Sequence, residues 1–283
     1  MNTAPHHDSS YRGRIAPTPS GWLHEGHAAT FRTAWERARA CKGKLVYRTE
    51  DLDGQRCRPV FAAAAMEDLR WCGLDWDEGP DCGGPRAPYV QSERFGWFRE
   101  VFERLCESGL LYPSPHSRAE IRRSKPGISP ANGEPVFPPA LRPERGSAGG
   151  SRTSKPVNWR FRVPDGRRIS FEDGRCGRKT YQAGVDFGDF LVWRKDGVPS
   201  YELAVVADDH AMEITEVVRG EDLLVSTARQ LLLYEALGWE PPAWFHCPLV
   251  LDPETGVRLS KTAGSRSLRA GRTPRRFSPS PSP

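Results

Sequence analysis

The sequence predicts an α/β protein, in which a doubly wound sheet is interrupted once by a loop-rich insertion. Short apolar strands alternate with amphipathic helices near both ends of the chain, as in βαβ units. Between them, residues 114–150 are rich in Pro, Gly, Ser and Arg and show no sustained periodicity. The chain has 283 residues, which is enough for one large domain with a sizeable core.

The first elements predict a βαβ unit. Residues 13–16 have the pattern of a short strand, and residues 17–21 form a Pro/Gly turn. Residues 27–40 follow with apolar side chains at helical spacing, and residues 44–48 supply the next strand.

Later elements continue the alternation. Apolar stripes predict helices at residues 61–72 and 92–108. Thr227 and Gln230 can cap a helix that runs to Leu237, because the two side chains satisfy free backbone groups reciprocally. Further strands are predicted at residues 157–163, 202–207, 213–218 and 245–251.

These elements divide the chain into four parts. The first half of the α/β domain spans residues 11–113, the insertion spans residues 114–156, and the second half spans residues 157–264. Residues 265–283 form a short, truncated-looking tail, whose Gly, Arg, Ser and Pro content predicts disorder.

The composition excludes several classes of protein. Hydrophobic residues make up 37% of the chain and charged residues 27%, which is ordinary for a soluble protein. No stretch approaches ~18 consecutive apolar residues, and the N-terminus lacks the pattern of a secretory signal. We therefore expect a cytoplasmic protein that does not bind membranes. The seven cysteines are scattered without C-x-C or C-x-x-C pairs, which argues for reduced thiols rather than disulfides or a cysteine zinc cluster.

Positive charge is unevenly distributed. Residues 118–179 contain fifteen Lys and Arg against six Asp and Glu, and residues 258–283 contain seven against none. Such patches suit a polyanionic partner. Solvated, arginine-rich loops are the alternative explanation.

Two segments far apart in the chain carry residues suited to phosphate chemistry. Residues 17–27 read Pro-Thr-Pro-Ser-Gly-Trp-Leu-His-Glu-Gly-His, a turn leading into a helix that contains His24 and His27. Ring N–H groups at a helix N-terminus lie beside free backbone amides and the positive end of the dipole. Gly26 permits close approach of a nucleotide, and Lys261, in a Leu-Ser-Lys-Thr segment, adds a positive charge. An isolated H-x-G-H more often holds ordinary histidines, but the lead-in and the lysine favour a triphosphate clamp.

The order and residue types of these segments resemble HIGH and KMSKS, the two signature motifs of class I aminoacyl-tRNA synthetases. The resemblance implies a Rossmann-type catalytic domain that joins an amino acid to ATP with Mg²⁺. The substrate carboxylate is already ionised at neutral pH, so the enzyme supplies alignment and positive donors rather than a base. The implied catalytic residues are His24, His27 and Lys261, and these bind ATP together with Gly26.

Two further segments resemble glutamyl-type enzymes of this class. The segment after the second strand reads Tyr-Arg-Thr-Glu-Asp where R-I-E-D is usual, and a later one reads Val-Val-Arg-Gly-Glu-Asp where V-x-R-G-x-D is usual. Arg14 and Arg219 would capture the side-chain carboxylate of glutamate. Glu50 would bind its α-ammonium group, and Tyr201 would supply a hydroxyl. A salt bridge within the sheet is the alternative for Arg219. The implied glutamate site also includes Ile15, Ala16, Pro17 and Thr18.

The length of chain after the lysine motif bears on the subfamily. Full-length tRNA(Glu) synthetases append an anticodon-binding region there, and only a short stretch follows Lys261. The resemblance, over residues 12–268, therefore points to the short paralogue family of glutamyl-queuosine tRNA(Asp) synthetases. It implies a monomer that activates L-glutamate with ATP and without tRNA. The glutamate is then esterified to the queuosine base of tRNA(Asp).

Two alternatives remain open. A minimal tRNA(Glu) or tRNA(Gln) synthetase would run the same chemistry but charge the 3′ end. A non-catalytic RNA-binding relic of a class I synthetase is suggested by the altered tail and by changed metal ligands. The intact motif residues count against a relic, namely His24, His27, Glu50, Arg219 and Lys261.

Besides its tail, the chain departs from the paralogue family in its metal ligands and, to a smaller extent, at Glu25. Members usually hold zinc with a C-x-C pair and a Y-x-x-x-C segment, and the corresponding residues here are Ser114, His116, Phe137 and Leu141. A lone histidine cannot make a tetrahedral site, so we expect no zinc. Glu25 stands inside the histidine motif, where it puts a negative charge near the phosphates unless its side chain points away.

Overall fold

The computed structural model describes residues 11–124, 127–144, 156–250 and 267–271, which fall into two compact units. Of the described residues, the first unit contains 11–93, 214–221, 247–250 and 267–271, and the second unit contains all the others. Among the helices described, none is long and apolar enough to cross a membrane. In chain order the elements are β1 (Arg12–Ile15), α1 (Glu25–Ala40), β2 (Lys44–Tyr47), α2 (Pro59–Trp71), α3 (Phe95–Glu107), β3 (Leu111–Ser114), α4 (Arg118–Arg123), β4 (Asn158–Phe161), β5 (Arg168–Asp173), β6 (Gly177–Gln182), β7 (Phe190–Trp193), α5 (Tyr201–Ala211), β8 (Glu216–Gly220), α6 (Leu224–Leu237) and β9 (Ala243–Cys247).

The first unit begins with the predicted βαβ arrangement. Strand β1 pairs in parallel with β2, with Ile15 opposite Tyr47. On the other side of β1, the Thr215 N–H donates to the Arg12 carbonyl at 2.9 Å, which places β8 next to β1. Helix α1 packs on these strands, and their inward side chains form a buried apolar layer. The α/β prediction is confirmed.

A buried carboxylate joins α1 to β8. Glu216 accepts hydrogen bonds from Nη2 and Nε of Arg37, at 2.6 and 2.7 Å, and from the Tyr11 hydroxyl at 2.7 Å. A bidentate arginine–carboxylate pair fixes direction as well as distance. The helix that carries the two histidines is therefore oriented firmly against the strand that carries Arg219.

The second unit is built from antiparallel strands and three longer helices. Strands β3, β4 and β7 form one antiparallel sheet, and β5 and β6 form a hairpin. Strand β5 also runs parallel to β9 at Asp173 and Trp244. The Phe102 ring of α3 packs against Trp159 and Trp193, with centroids 5.5 and 5.0 Å apart.

Residues 202–207 were predicted as a strand, and this prediction is wrong. They lie in α5, which begins where the Ser200 side chain accepts the Leu203 N–H at 3.4 Å. Most of this helix is buried, from Glu202 to Asp209 without interruption. A helix buried on every side shows a continuous apolar run rather than a 3.6-residue period, so its sequence matches a buried strand equally well.

Two predicted boundaries also shift. Strand β8 starts at Glu216 rather than at residue 213, because Glu213 adopts a left-handed backbone conformation, with φ of 54°. Thr227 does not cap α6, which begins three residues earlier, at Leu224. Its hydroxyl instead lies 3.4 Å from the Leu223 carbonyl and 3.2 Å from the His246 ring.

An arginine of β4 contacts two positions of the insertion where zinc ligands are usual. The Arg160 guanidinium donates to the Ser114 hydroxyl at 3.3 Å and lies 4.3 Å from the Phe137 ring centroid. It also donates to the Asp189 carbonyl at 2.9 Å. Arg142 pairs with the Asp189 carboxylate through two hydrogen bonds, at 2.6 and 2.7 Å. The absence of zinc and the domain boundaries stay predictions.

Acid is expected to destabilise the second unit through Asp173. Its carboxylate is buried and accepts from the His246 ring at 2.6 Å and from the Cys176 N–H at 2.7 Å. Burial alone would raise the pKa of Asp173, but these hydrogen bonds outweigh burial and lower the pKa to about 2 from its ordinary 3.8. The folded state therefore binds this proton more weakly than the unfolded state. The stabilisation, about 2 to 3 kcal/mol, is complete above about pH 5 and is lost as the pH falls towards 2.

Denaturant unfolding between pH 7 and pH 3 measures this effect. Asp173→Asn should be less stable than the unchanged protein at pH 7, and the difference should shrink on acidification. The exposed neighbour Glu172 provides the control, as Glu172→Gln. Equal acid dependence in the unchanged protein and Asp173→Asn would contradict the prediction.

Candidate active site

Two histidines form a reciprocal cap at the N-terminus of α1. His24 is the N-cap residue, and its Nδ1 accepts the Gly26 N–H at 3.2 Å. In return, the His24 N–H donates to Nδ1 of His27 at 3.4 Å. The two rings lie 3.8 Å apart between centroids. Ser or Thr with Glu or Gln usually makes this capping box, and here both members are imidazoles.

This cap determines which ring nitrogen carries the proton. Because Nδ1 of each ring accepts a backbone N–H, the neutral tautomer of each has its proton on Nε2. His24 and His27 can therefore donate through Nε2 while their other nitrogens hold the helix end. The first-turn amides and the helix dipole attract an anion to the same place.

The other two members of the motif also have defined surroundings. Glu25 is exposed in the first turn of α1, where a negative charge interacts favourably with the dipole. A Cβ added to Gly26 would lie 3.1 Å from Cε1 of His24 and 3.6 Å from Cβ of Val250. Glycine at this position therefore leaves room for the His24 ring. Its predicted role in admitting a nucleotide stays a prediction.

Arg14 and Arg219 lie on neighbouring strands of the first unit. The Arg14 guanidinium donates to the Val218 carbonyl at 2.8 Å, and Arg219 is the next residue of β8. Both arginines are buried, with 5% exposure each. The structure thus places the two residues predicted to bind the glutamate side chain on adjacent strands.

Glu50 lies beside the turn that links β1 to α1. Its N–H donates to the Pro17 carbonyl at 3.1 Å, and the Arg48 N–H donates to the Ile15 carbonyl at 2.9 Å. Along this turn Ile15 and Pro17 are buried, Ala16 is half-buried and Thr18 is exposed. The turn is thereby held against the segment that follows β2.

Arg48 is a buried partner of Glu50 that the sequence analysis did not single out. Its side chain has no exposed surface, and Nη2 donates to Oε1 of Glu50 at 2.9 Å. Arginine is almost never fully buried unless it is paired. The signal was available, because residues i and i+2 of an extended segment point to the same face.

Two other predicted residues lie outside the described part of the first unit. Tyr201 belongs to the second unit, where it is the first residue of α5 and is 40% exposed. Lys261 and its motif lie outside the described residues. Downstream of Lys261, Ser267 forms a β-bridge with His24.

In the described part of the chain, no group of three or more His, Cys, Asp and Glu side chains could hold a metal ion. Mg²⁺ that accompanies a nucleotide usually keeps several waters and binds to substrate phosphates and one or two carboxylates.

Comparison with known proteins identifies the family. Residues 10–272 match the family described as class I tRNA synthetases (E and Q), catalytic domain. The chain belongs to this family of class I tRNA synthetases. It is therefore a ligase with a Rossmann-type class I catalytic fold, as the motifs predicted.

Individual relatives of this synthetase family refine the comparison. A chain from Symbiobacterium thermophilum named glutamyl-Q tRNA(Asp) synthetase is 48% identical over 90% of this chain and 79% of its own length. A chain of the same name from Nitratidesulfovibrio vulgaris is 45% identical over 92% of this chain and 80% of its own length. The crystal structure of a glutamate tRNA ligase from Elizabethkingia meningosepticum, in complex with its amino acid, superimposes with a TM-score of 0.77 and 32% identity. That match covers 89% of this synthetase but only 52% of the ligase, so the chain spans about half the ligase's length.

Proposed function

We propose that the chain activates L-glutamate with ATP and transfers it to the queuosine base in the anticodon of tRNA(Asp). One observation carries the proposal: the first unit holds the histidine pair, the two buried arginines and Glu50 on three connected segments. Parallel strands with an intervening helix N-terminus provide a nucleotide site at their carboxyl ends.

In the first step, a carboxylate oxygen of glutamate attacks the α-phosphorus of ATP. The new P–O bond replaces the bond to pyrophosphate, and no proton needs to be removed. Nε2–H groups of His24 and His27 donate to phosphate oxygens, and Lys261 adds positive charge as pyrophosphate leaves. Mg²⁺, when bound to the phosphates, supplies further charge neutralisation.

Glutamate is selected by charge at both of its ends. Arg14 and Arg219 bind the side-chain carboxylate, and Glu50 binds the α-ammonium group. Arg48 keeps one oxygen of Glu50 engaged, which fixes the direction of the other. The backbone of residues 15–18 lines the same pocket, and the hydroxyl role of Tyr201, which belongs to the second unit, stays a prediction.

In the second step, a hydroxyl of the queuosine base attacks the carbonyl carbon of the adenylate. The carbonyl–oxygen bond to AMP breaks, and the hydroxyl proton passes to water or to the AMP phosphate. The names of the relatives from S. thermophilum and N. vulgaris, whose similarity covers about four-fifths of their length, support this acceptor. ATP and mature tRNA are both available in the cytoplasm, where we place the monomeric enzyme.

Labelled glutamate distinguishes transfer to the queuosine base from transfer to the 3′ end of the tRNA. We expect label on tRNA(Asp) that contains queuosine, and none on the same tRNA with unmodified guanosine or on tRNA(Glu). Label should survive removal of the 3′-terminal nucleotides. Label confined to the terminal adenosine would instead establish a minimal tRNA(Glu)-type enzyme. Absence of both label and glutamate-dependent pyrophosphate exchange would establish a non-catalytic relic.

A further inference from the structure

A short segment near the end of the described chain contacts the histidine motif. Residues Leu268–Gly271 form a 3₁₀ helix, although the sequence predicted disorder from residue 265 onwards. The Leu268 N–H donates to the Leu23 carbonyl at 2.9 Å, and Ser267 bridges to His24. This segment therefore adds backbone pairing immediately before the N-cap of α1.

Arg269 attaches this segment to α2. Its Nε donates to Oδ1 of Asp68 at 2.8 Å, and its Nη2 donates to Oε2 of Glu67 at 2.6 Å. Nη2 also reaches the Ala64 carbonyl at 3.3 Å. The Asp68 side chain is only 1% exposed, so this ion pair lies partly inside the protein, where solvent screening is weak.

The Arg269 guanidinium also covers Trp22, the residue that precedes Leu23. The central carbon of Arg269 lies 4.9 Å from the Trp22 ring centroid, and the indole packs edge-on against Phe61 of α2 at 5.0 Å. Trp22 is thus held between a cation and an aromatic ring, although 41% of it is exposed. Arginine suits this place because its planar group can stack and donate in two directions at once.

We propose that Arg269 is a positioning residue for the histidine pair. It joins α2 to Trp22 and pins the backbone of residues 22–24, which sets the direction of the His24 and His27 rings. It does not touch the substrates in this role. The inference rests on the proposed function, because it assigns the histidines to the phosphates of ATP.

Steady-state pyrophosphate exchange tests the assignment. Arg269→Ala should lower kcat/KM for ATP by about 10- to 100-fold, the scale expected when reacting groups are misplaced by roughly 1 Å. KM for glutamate should stay within about twofold. The kcat/KM of Arg269→Lys for ATP should lie between the values of the unchanged enzyme and Arg269→Ala, since lysine keeps the charge but not the planar fork. Arg32, which forms an exposed pair with Glu36 on α1, provides the matched control: Arg32→Ala should behave as the unchanged enzyme. A rise in KM for glutamate of more than about twofold, or no loss of kcat/KM for ATP, would overturn the proposal.

A second measurement does not need catalysis. The chain has seven histidines, and their Cε1–H resonances can be followed by NMR in Arg269→Lys and Arg32→Ala. We expect the signals of His24 and His27 to move in Arg269→Lys and those of the remoter histidines to stay. Unmoved signals would overturn the positioning role even if Arg269→Lys lost activity. Moved signals in a chain that shows no exchange would uphold it while the proposed function failed.

Discussion

Replacing His27 by alanine is expected to lower glutamate-dependent ATP–pyrophosphate exchange by about 10²- to 10³-fold. The reason is the loss of a donor that acts on charge developing on the leaving pyrophosphate, which costs about 3 to 4 kcal/mol. Lys261→Ala should lose activity on the same scale. Circular dichroism should show a folded protein in both cases. Near-normal exchange in both variants would rule out the triphosphate clamp.

The hydrogen bonds of the capping box allow a sharper version of this test. Nδ1 of His27 accepts from the backbone, and Nε2 is the nitrogen left to donate. His27→Asn places a side-chain oxygen near the position of Nδ1, whereas His27→Gln places an amide near Nε2. We expect Asn to preserve thermal stability better and Gln to preserve exchange better. The opposite ranking would show that the ring acts only through the helix cap.

Arg219→Leu is expected to abolish the preference for glutamate over glutamine. A pocket built to pair a carboxylate with arginines leaves buried donors unsatisfied when a neutral side chain enters. The unchanged enzyme should therefore favour glutamate by a factor on the order of 10³ or more. Aspartate should be a poor substrate, because its shorter side chain cannot reach both ends of the site.

Exchange with each amino acid at saturating ATP gives the ratio of kcat/KM values directly. Arg219→Lys keeps the charge without the bidentate fork and should retain part of the preference. KM for ATP should be unaffected in both variants. A Leu variant that still favours glutamate strongly would exclude Arg219 from the pocket and restore the alternative of a structural arginine.

The sequence predicted the parts of the fold that have a distinctive period or a distinctive motif. The opening strand, helix and strand were placed within two residues, because the turn at residues 17–21 and the spacing within α1 mark them clearly. Helix α5 was mistaken for a strand because it is buried all round, and burial removes the periodicity that identifies a helix.

The candidate site was predictable to a similar extent. His24, His27 and Gly26 belong to a recognisable local pattern, and the structure adds that both rings accept backbone N–H groups at the start of α1. No local pattern shows that Arg14 reaches Val218, or that Arg269 reaches Asp68, because these partners are 204 and 201 residues apart in the sequence. Such contacts depend on the whole fold. Arg48 could have been found, since its partner Glu50 is only two residues away in the segment that follows β2.

The hydrogen bonds of Glu216 with Tyr11 and Arg37 have a consequence for synthesis on the ribosome. Tyr11 and Glu216 are 205 residues apart, so the strand that completes the sheet beside β1 is made long after α1. At 5–20 residues per second, the N-terminal segment waits about 10 to 40 s for this partner. During that interval its Tyr11 and Arg37 side chains have no carboxylate from Glu216 to bind, and the apolar face of β1 lacks its neighbour. The unit that carries the histidine motif therefore keeps an unpaired strand edge until β8 has emerged.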